Sequence, residues 1–355
     1  MNILNINGED TCGISKMLCD YINKETKHNA RCFIRSMNVR EYPYDLWWNI
    51  NCNENKLREM IEWADILHFN IWPPSVGFGK VDFRPYIENE DKKVIMQFHG
   101  TAFRRTPPIR QEVEENGYKT LVMMPIMFDY INDELCKTEW LPFPIPTDKP
   151  EFMPVPDEDK FQQFAVAHSP GEVHRWEIKD TDLILQVADN MNEVIEKVWK
   201  PNKQHVAGTN TDTDYLVKTV QVINSKSTRY TRLELMSKTP WEECIKIKQR
   251  CHVGFDHLQG YYGVNTAEFM SMGIPAICNP NYQYYKYAMD RYGKEPPFVI
   301  SDRVILEDTI RALRDDAELR HEIGGQSRDY AVKVHDIESS VLPQLIHAYK
   351  EVMKG

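Results

Sequence analysis

HVGFDHLQGYYGVNTAEFMSMGIPAICNP, residues 252–280, organises the reading of the whole chain. Val253 to Phe255 is a short apolar run of the kind that forms a buried strand. A turn carrying Gly260 and Gly263 follows, then a short helix from Thr266 to Met272. Gly273 ends that helix, and Ile274 to Cys278 is a second buried strand. Asn265 is expected at the helix N-cap with Glu268 three residues on, a pairing that by itself stabilises a helix start by roughly 1 kcal/mol. The amides of Val264, Asn265 and Thr266, at the positive end of the helix dipole, form a natural anion site. A diphosphate is the expected anion.

The segment resembles the nucleotide-sugar site of GT-B glycosyltransferases, in particular the retaining family 4 group. Tyr262, Gly263, Glu268, Gly273 and Pro275 fall in register with that group's pattern. The first of its two glutamates does not, because Gly260 stands at its position. The resemblance implies that Glu268 holds the donor ribose and that Tyr262, Gly263 and the Val264–Thr266 amides lie at the donor phosphates. It implies an α/β fold of two doubly wound Rossmann-like domains with parallel sheets facing a central cleft.

Length and composition agree with two domains. A chain of 355 residues with 42% hydrophobic content, 17 Tyr, 14 Phe and 8 Trp supplies two cores of ordinary size. A net charge of −10 and a pI near 5.6 argue against a general polyanion binder. No run approaches the ~18 apolar residues of a membrane span, and Met1–Asn7 reads as a strand rather than a signal peptide. The eight cysteines include no Cys-x-x-Cys pair, and several lie in apolar runs. Reduced, buried thiols in a cytoplasmic protein without a zinc site are the expectation.

In chain order, Met1–Asn7, a glycine loop ending at Gly13 and a helix from Ser15 to Lys24 open a doubly wound domain. The loop lacks Gly-x-Gly-x-x-Gly, so no dinucleotide fingerprint is present. By resemblance Gly13 touches donor phosphate or acceptor; a plain tight turn fits it equally. Strands are expected at 30–36, 66–71, 94–98 and 121–127, with helices at 54–64 and 129–135. Ligands of such sheets bind beyond the carboxyl ends of strands, which is where His99-Gly100-Thr101 falls, with Arg104 and Arg105 close behind. These residues resemble the family's acceptor-side motif. His99 is expected to hydrogen-bond the transferred sugar, although a strand-end histidine also serves as an ordinary structural group. His68 reads as structural. Prolines at 142, 144, 146, 150, 154 and 156 mark the boundary between domains 1–150 and 151–335.

The second domain opens on a strand at 164–168, with a helix from Leu183 to Asn190. By resemblance, Arg175 and Lys179 are the cations that neutralise the donor diphosphate, with Asp180 where the family has glycine. The nucleobase is expected at the turn from Met236 through Ser237 to Lys238, before a helix starting at Thr239-Pro240. Residues 205–209 read as a weak strand, and 216–223 as strand or helix. The aromatic run after Pro280 is expected at the cleft edge. Further helices are expected at 303–314, 317–334 and 339–353, with 336–355 crossing back onto the first domain.

These readings add up to transfer of a sugar from a nucleoside-diphosphate sugar to an acceptor hydroxyl, without metal or cofactor. The expected acceptor is a glycan, lipid or small-molecule alcohol, or a modified base of viral DNA for which Lys80, Arg104, Arg105 and Arg110 would supply a basic rim. A degenerate scaffold that binds the nucleotide sugar without turnover is the alternative that Gly260 keeps open. The triplets Asp180–Asp182 and Asp212–Asp214 would suit a metal-dependent transferase. The first lies in a helix's first turn, where acids belong anyway, and the second in a polar loop.

Overall fold

The computed structural model describes residues 1–8, 10, 13–35, 42–48, 54–90, 92–100, 106–131, 133–169, 179–191, 196–202, 215–221, 231–236, 239 and 241–354. The chain divides into two units, Met1–Pro146 with Lys333–Gly355, and Thr147–Val332.

In the first unit β1 (Asn2–Asn7), α1 (Ile14–Glu25), β2 (Asn29–Ile34), β3 (Leu46–Trp47), α2 (Glu54–Trp63) and β4 (Ile66–Asn70) follow one another. Next come α3 (Arg84–Glu90), β5 (Lys93–Phe98), α4 (Pro107–Asn116), β6 (Lys119–Val122), α5 (Asp133–Cys136) and β7 (Glu139–Trp140). The sheet order is β3-β2-β1-β4-β5-β6-β7, and each neighbouring pair is parallel. Helical crossovers cover a parallel sheet on both faces, so its strands are buried throughout. β4 is buried at every position. The run expected as a strand to Met127 stops at Val122, because Pro125 opens a 3-10 turn over Pro125–Tyr130. His68 is fully buried, with Nδ1 2.7 Å from the hydroxyl of Tyr349 in the last helix.

The second unit runs β8 (Phe164–His168), α6 (Thr181–Met191), β9 (Glu196–Asn202), β10 (Tyr215–Gln221), β11 (Thr231–Leu235) and α7 (Trp241–Arg250). It continues through β12 (Val253–Phe255), α8 (Val264–Ser271), β13 (Ala276–Cys278), α9 (Tyr282–Tyr292), β14 (Val299–Ile300), α10 (Leu306–Asp315) and α11 (Ala317–Val334), whose last two residues belong to the first unit. A turn of π-helix (Ile337–Val341) and α12 (Leu342–Val352) close the chain. The sheet order is β14-β13-β12-β8-β11-β10-β9. Five strands are parallel, but β10 runs antiparallel to both β11 and β9. The expectation of a purely parallel second sheet is corrected at that edge. Val166, Ile184, Leu233, Phe255, Ile277 and Ile310 are part of one buried cluster between sheet and helices.

Two local readings are resolved. The ambiguous 216–223 segment is strand over its described part, Tyr215–Gln221, and the aromatic run after Pro280 is helix α9, begun at Asn281 and ended by left-handed Gly293. The weak strand at 205–209 lies outside the described residues, as does the second acidic triplet. The six described cysteines are free and buried, and burial pushes the thiols of Cys32, Cys251 and Cys278 well up. Among the described residues no helix is long and apolar enough to cross a membrane.

Candidate active site

The second unit gathers its charged groups where β8 and β12 end. Asp256, one residue beyond β12, is completely buried. Its Oδ1 accepts from Lys179 Nζ at 2.7 Å, and its Oδ2 accepts from Gly263 N–H and the Thr266 hydroxyl, each at 2.9 Å. Burial alone would raise this carboxyl's pKa. The Lys179 ammonium, neighbouring His257 and the Gly263 amide outweigh burial and hold it well below the usual range. One carboxylate thus joins the start of α6 to the first turn of α8.

Helix α8 begins two residues earlier than the sequence suggests. Gly263 is the N-cap, in extended backbone at φ −116°, and Asn265 lies inside the first turn. The expected capping pair of Asn265 and Glu268 is therefore absent. Thr266 N–H already donates to Gly263 O at 3.1 Å. The cradle expected over Val264–Thr266 narrows to the amides of Val264 and Asn265, which find no acceptor among the described residues. The Asn265 carboxamide is buried, with neither polar atom hydrogen-bonded. A Cβ added at Gly263 would lie 4.0 Å from Lys179 Nζ. Lys179, Gly263 and the first turn of α8 are thus brought together. Unpaired first-turn amides beside a cation are a fit for an anionic oxygen.

Glu268 faces another way. It is buried and ion-paired with buried Lys248, and its Oε1 accepts from Trp241 Nε1 at 3.2 Å, both partners being on α7. Tyr262, expected at the donor, is a core residue: its ring is fully buried, 4.6 Å from Tyr284 and 4.8 Å from Phe298 between centroids. Met236 is buried and its N–H donates to His168 O at 2.8 Å, so its amide is not open to a base. Arg175, Ser237, Thr101 and Arg104 lie outside the described residues.

The departures from the family's motifs acquire physical reasons. Asp180, where glycine was expected, keeps a glycine-like φ of 51°, a conformation that Asp tolerates better than most residues. Its buried carboxylate accepts from Leu258 N–H at 2.8 Å and from Gln259 Nε2, and pairs with Arg303. The first acidic triplet is therefore split, with Asp180 committed to these partners and Asp182 exposed. Gly260 has φ +83°, and a Cβ there would meet nothing within 4 Å. Among the described residues, nothing closes on the point where the missing glutamate's Cβ would stand.

In the first unit His99 follows β5. Its Nε2 lies 3.2 Å from Asn70 Oδ1 and 2.9 Å from the Gln97 amide, while Asn70 Nδ2 donates to Asn5 Oδ1. The Gln97 Nε2 donor at 2.9 Å and the Asn70 Oδ1 acceptor at 3.2 Å ask opposite roles of Nε2, and Nδ1 is the ring nitrogen left for a ligand hydroxyl. Burial lowers the pKa of His99 to about 4, so the ring is neutral at pH 7. Gly100 packs under Met124, where a Cβ would come 2.5 Å from Cε. Gly13 caps α1 in the left-handed region at φ 68°. The amides behind it are not free: Ser15 and Lys16 N–H donate to the buried carboxylate of Asp10 at 3.2 and 3.1 Å. A donor phosphate expected at Gly13 would meet an anion already in place.

Asp256, Lys248, Trp241 and Asp10 were not singled out from sequence. A polar residue directly after a buried strand, as in Val253-Gly-Phe-Asp256, was the available signal.

No family model and no curated protein sequence matches this chain. Solved structures do. A glycosyltransferase from Rickettsia africae has a TM-score of 0.64 at 11% identity, over 100% of this chain and 99% of its own. Anabaena HepE, solved in complex with UDP, has a TM-score of 0.63 at 9% identity, over 99% of this chain and 100% of its own. An alpha-glucosyltransferase solved with UDP and a 13-mer DNA containing an HMU base has a TM-score of 0.61 at 11% identity, over 99% of each chain. Likeness at these identities establishes the fold. The chain has the GT-B fold, with two Rossmann-like domains.

Proposed function

We propose that the protein is a glycosyltransferase that moves a sugar from a nucleoside-diphosphate sugar to an acceptor hydroxyl, with retention of configuration and without a metal ion. The observation that carries this reading is the pairing of open amides at Val264 and Asn265 with Lys179, all anchored by buried Asp256. The bond from the sugar's anomeric carbon to the phosphate oxygen breaks, and a bond to the acceptor oxygen forms. The departing diphosphate takes the acceptor's proton. Negative charge grows on that diphosphate, and amides with a fixed cation oppose it most strongly in the transition state. Arg175 is assigned the second cation. Glu268 is assigned the ribose; each of its oxygens uses one acceptor position on Trp241 or Lys248 and keeps another. His99 is assigned to a hydroxyl of the transferred or accepting sugar.

Thermal-shift titration with a panel of nucleoside diphosphates and their sugars tests the reading. A ligand at 100 times its Kd adds about 2.7 kcal/mol to stability. UDP is the first candidate, since UDP is bound in neighbours of the same fold. Lys179→Ala should abolish the shift. No shift with any nucleotide in the wild type would overturn the proposal, and activity lost on adding EDTA would overturn its metal-free form. A DNA acceptor is the second reading, favoured by the DNA-bound neighbour. Steeply salt-dependent DNA binding would support it.

A further inference from the structure

We propose that Trp72 is a stacking platform for the ring of a neutral pyranose acceptor, with His99 Nδ1 hydrogen-bonded to one of its hydroxyls. This rests on the transferase reading above and assigns the acceptor's class. Trp72 is 36% exposed, directly beyond the carboxyl end of β4. Its position is enforced by the backbone. Ile71 sits at φ 73°, a left-handed conformation rare for a β-branched residue. Trp72 N–H donates to Asn70 O at 2.9 Å, closing a γ-turn about Ile71, and Ile71 N–H donates to Gln97 O at 2.9 Å. The turn lays the indole on Gly8 at the end of β1, where an added Cβ would come 1.8 Å from Nε1. Only glycine permits that approach. A strained turn and a side-chain-free neighbour are thus both needed to keep one large, partly open aromatic at the strand ends.

Among the described residues, the polar side chains that the turn links to it, Asn70 and His99, are uncharged. Asn70, which starts the γ-turn, holds His99 through its side chain, and His99 is neutral at pH 7 with Nδ1 without a partner among the described residues. Neutral polar groups beside an aromatic face suit a ring with an apolar face and a hydroxylated rim. A nucleobase would also stack, but a charge of −10 disfavours the phosphates that come with it.

Saturation-transfer NMR on the wild type, Trp72→Phe and Trp72→Ala, with methyl β-D-glucopyranoside as probe, tests this without requiring turnover. In the wild type, transfer should concentrate on the axial ring protons of one sugar face. The Phe variant should keep that pattern, and the Ala variant should bind about tenfold more weakly, as expected for one lost aromatic contact. UDP thermal shifts should be equal in all three. Equal binding of the glucoside by Trp72→Ala and wild type would overturn the proposal, as would a wild type that binds thymidine and not the glucoside. A UDP shift lost only in the variants would mark Trp72 as structural and overturn it too. If the wild type shows no UDP shift, the donor reading fails while the glucoside comparison still decides the role of Trp72.

Discussion

Two helices in this molecule start the same way and end up chemically opposite. Both α1 and α8 follow a buried parallel strand and a loop rich in glycine. At α1 the loop folds the Asp10 carboxylate onto the first-turn amides, which closes the anion site with the chain's own anion. At α8 the equivalent carboxylate, Asp256, takes only the N-cap amide and a hydroxyl, and spends its other oxygen on Lys179. Two amides are left over, beside a cation that is itself paired with that carboxylate. The strand-loop-helix unit therefore does not make a phosphate site by itself; where the nearest carboxylate points decides it.

The largest expected effect tests what the strand ends share. His99 after β5, His168 at the end of β8 and His335 in the first unit are all held near pKa 4 by burial. Their unfolded pKa is about 6.5, so between those values the unfolded chain binds more protons than the folded one. Stability is then complete above about pH 6.5 and falls as pH drops toward 4. Urea midpoints measured across that range should show it. A flat profile would mean that the rings are solvated.

Asp256→Ala comes next. It strips the partner from Lys179 and orphans the Gly263 amide, and should cost roughly 3–5 kcal/mol in urea unfolding together with the UDP shift. Glu268→Gln should cost roughly 2–3 kcal/mol by leaving Lys248 buried without its counter-charge. Asp10→Ala is the smallest, about 1 kcal/mol for a lost helix cap, with UDP binding unchanged. Equal effects of Asp10→Ala and Asp256→Ala on nucleotide binding would erase the contrast between the two helix starts.

Much of the architecture was legible because it is written locally. Apolar runs such as Phe164–His168 and turn residues such as Gly273 and Pro240 report on their own neighbours in the chain. The failures were local conflicts settled elsewhere. Asn265 is a good N-cap by propensity, yet Asp256 holds Gly263 N–H and starts the helix earlier. Tyr262 matches the motif, but two aromatic neighbours from later in the chain bury it. The π-helical turn before α12 and the antiparallel β10 gave no periodic signal to find.

From the sequence alone came the alternation of strands and helices and a division placed at residue 150, four residues past the one the structure shows. Hydrophobic spacing and backbone preference act over a few residues, which is why they could be read. Tertiary structure alone decided which charges are spent and which are free. Lys179 meets Asp256 across 77 residues, and Asp180 meets Arg303 across 123. Electrostatic pairing depends on distance through space, and no spacing along the chain encodes it.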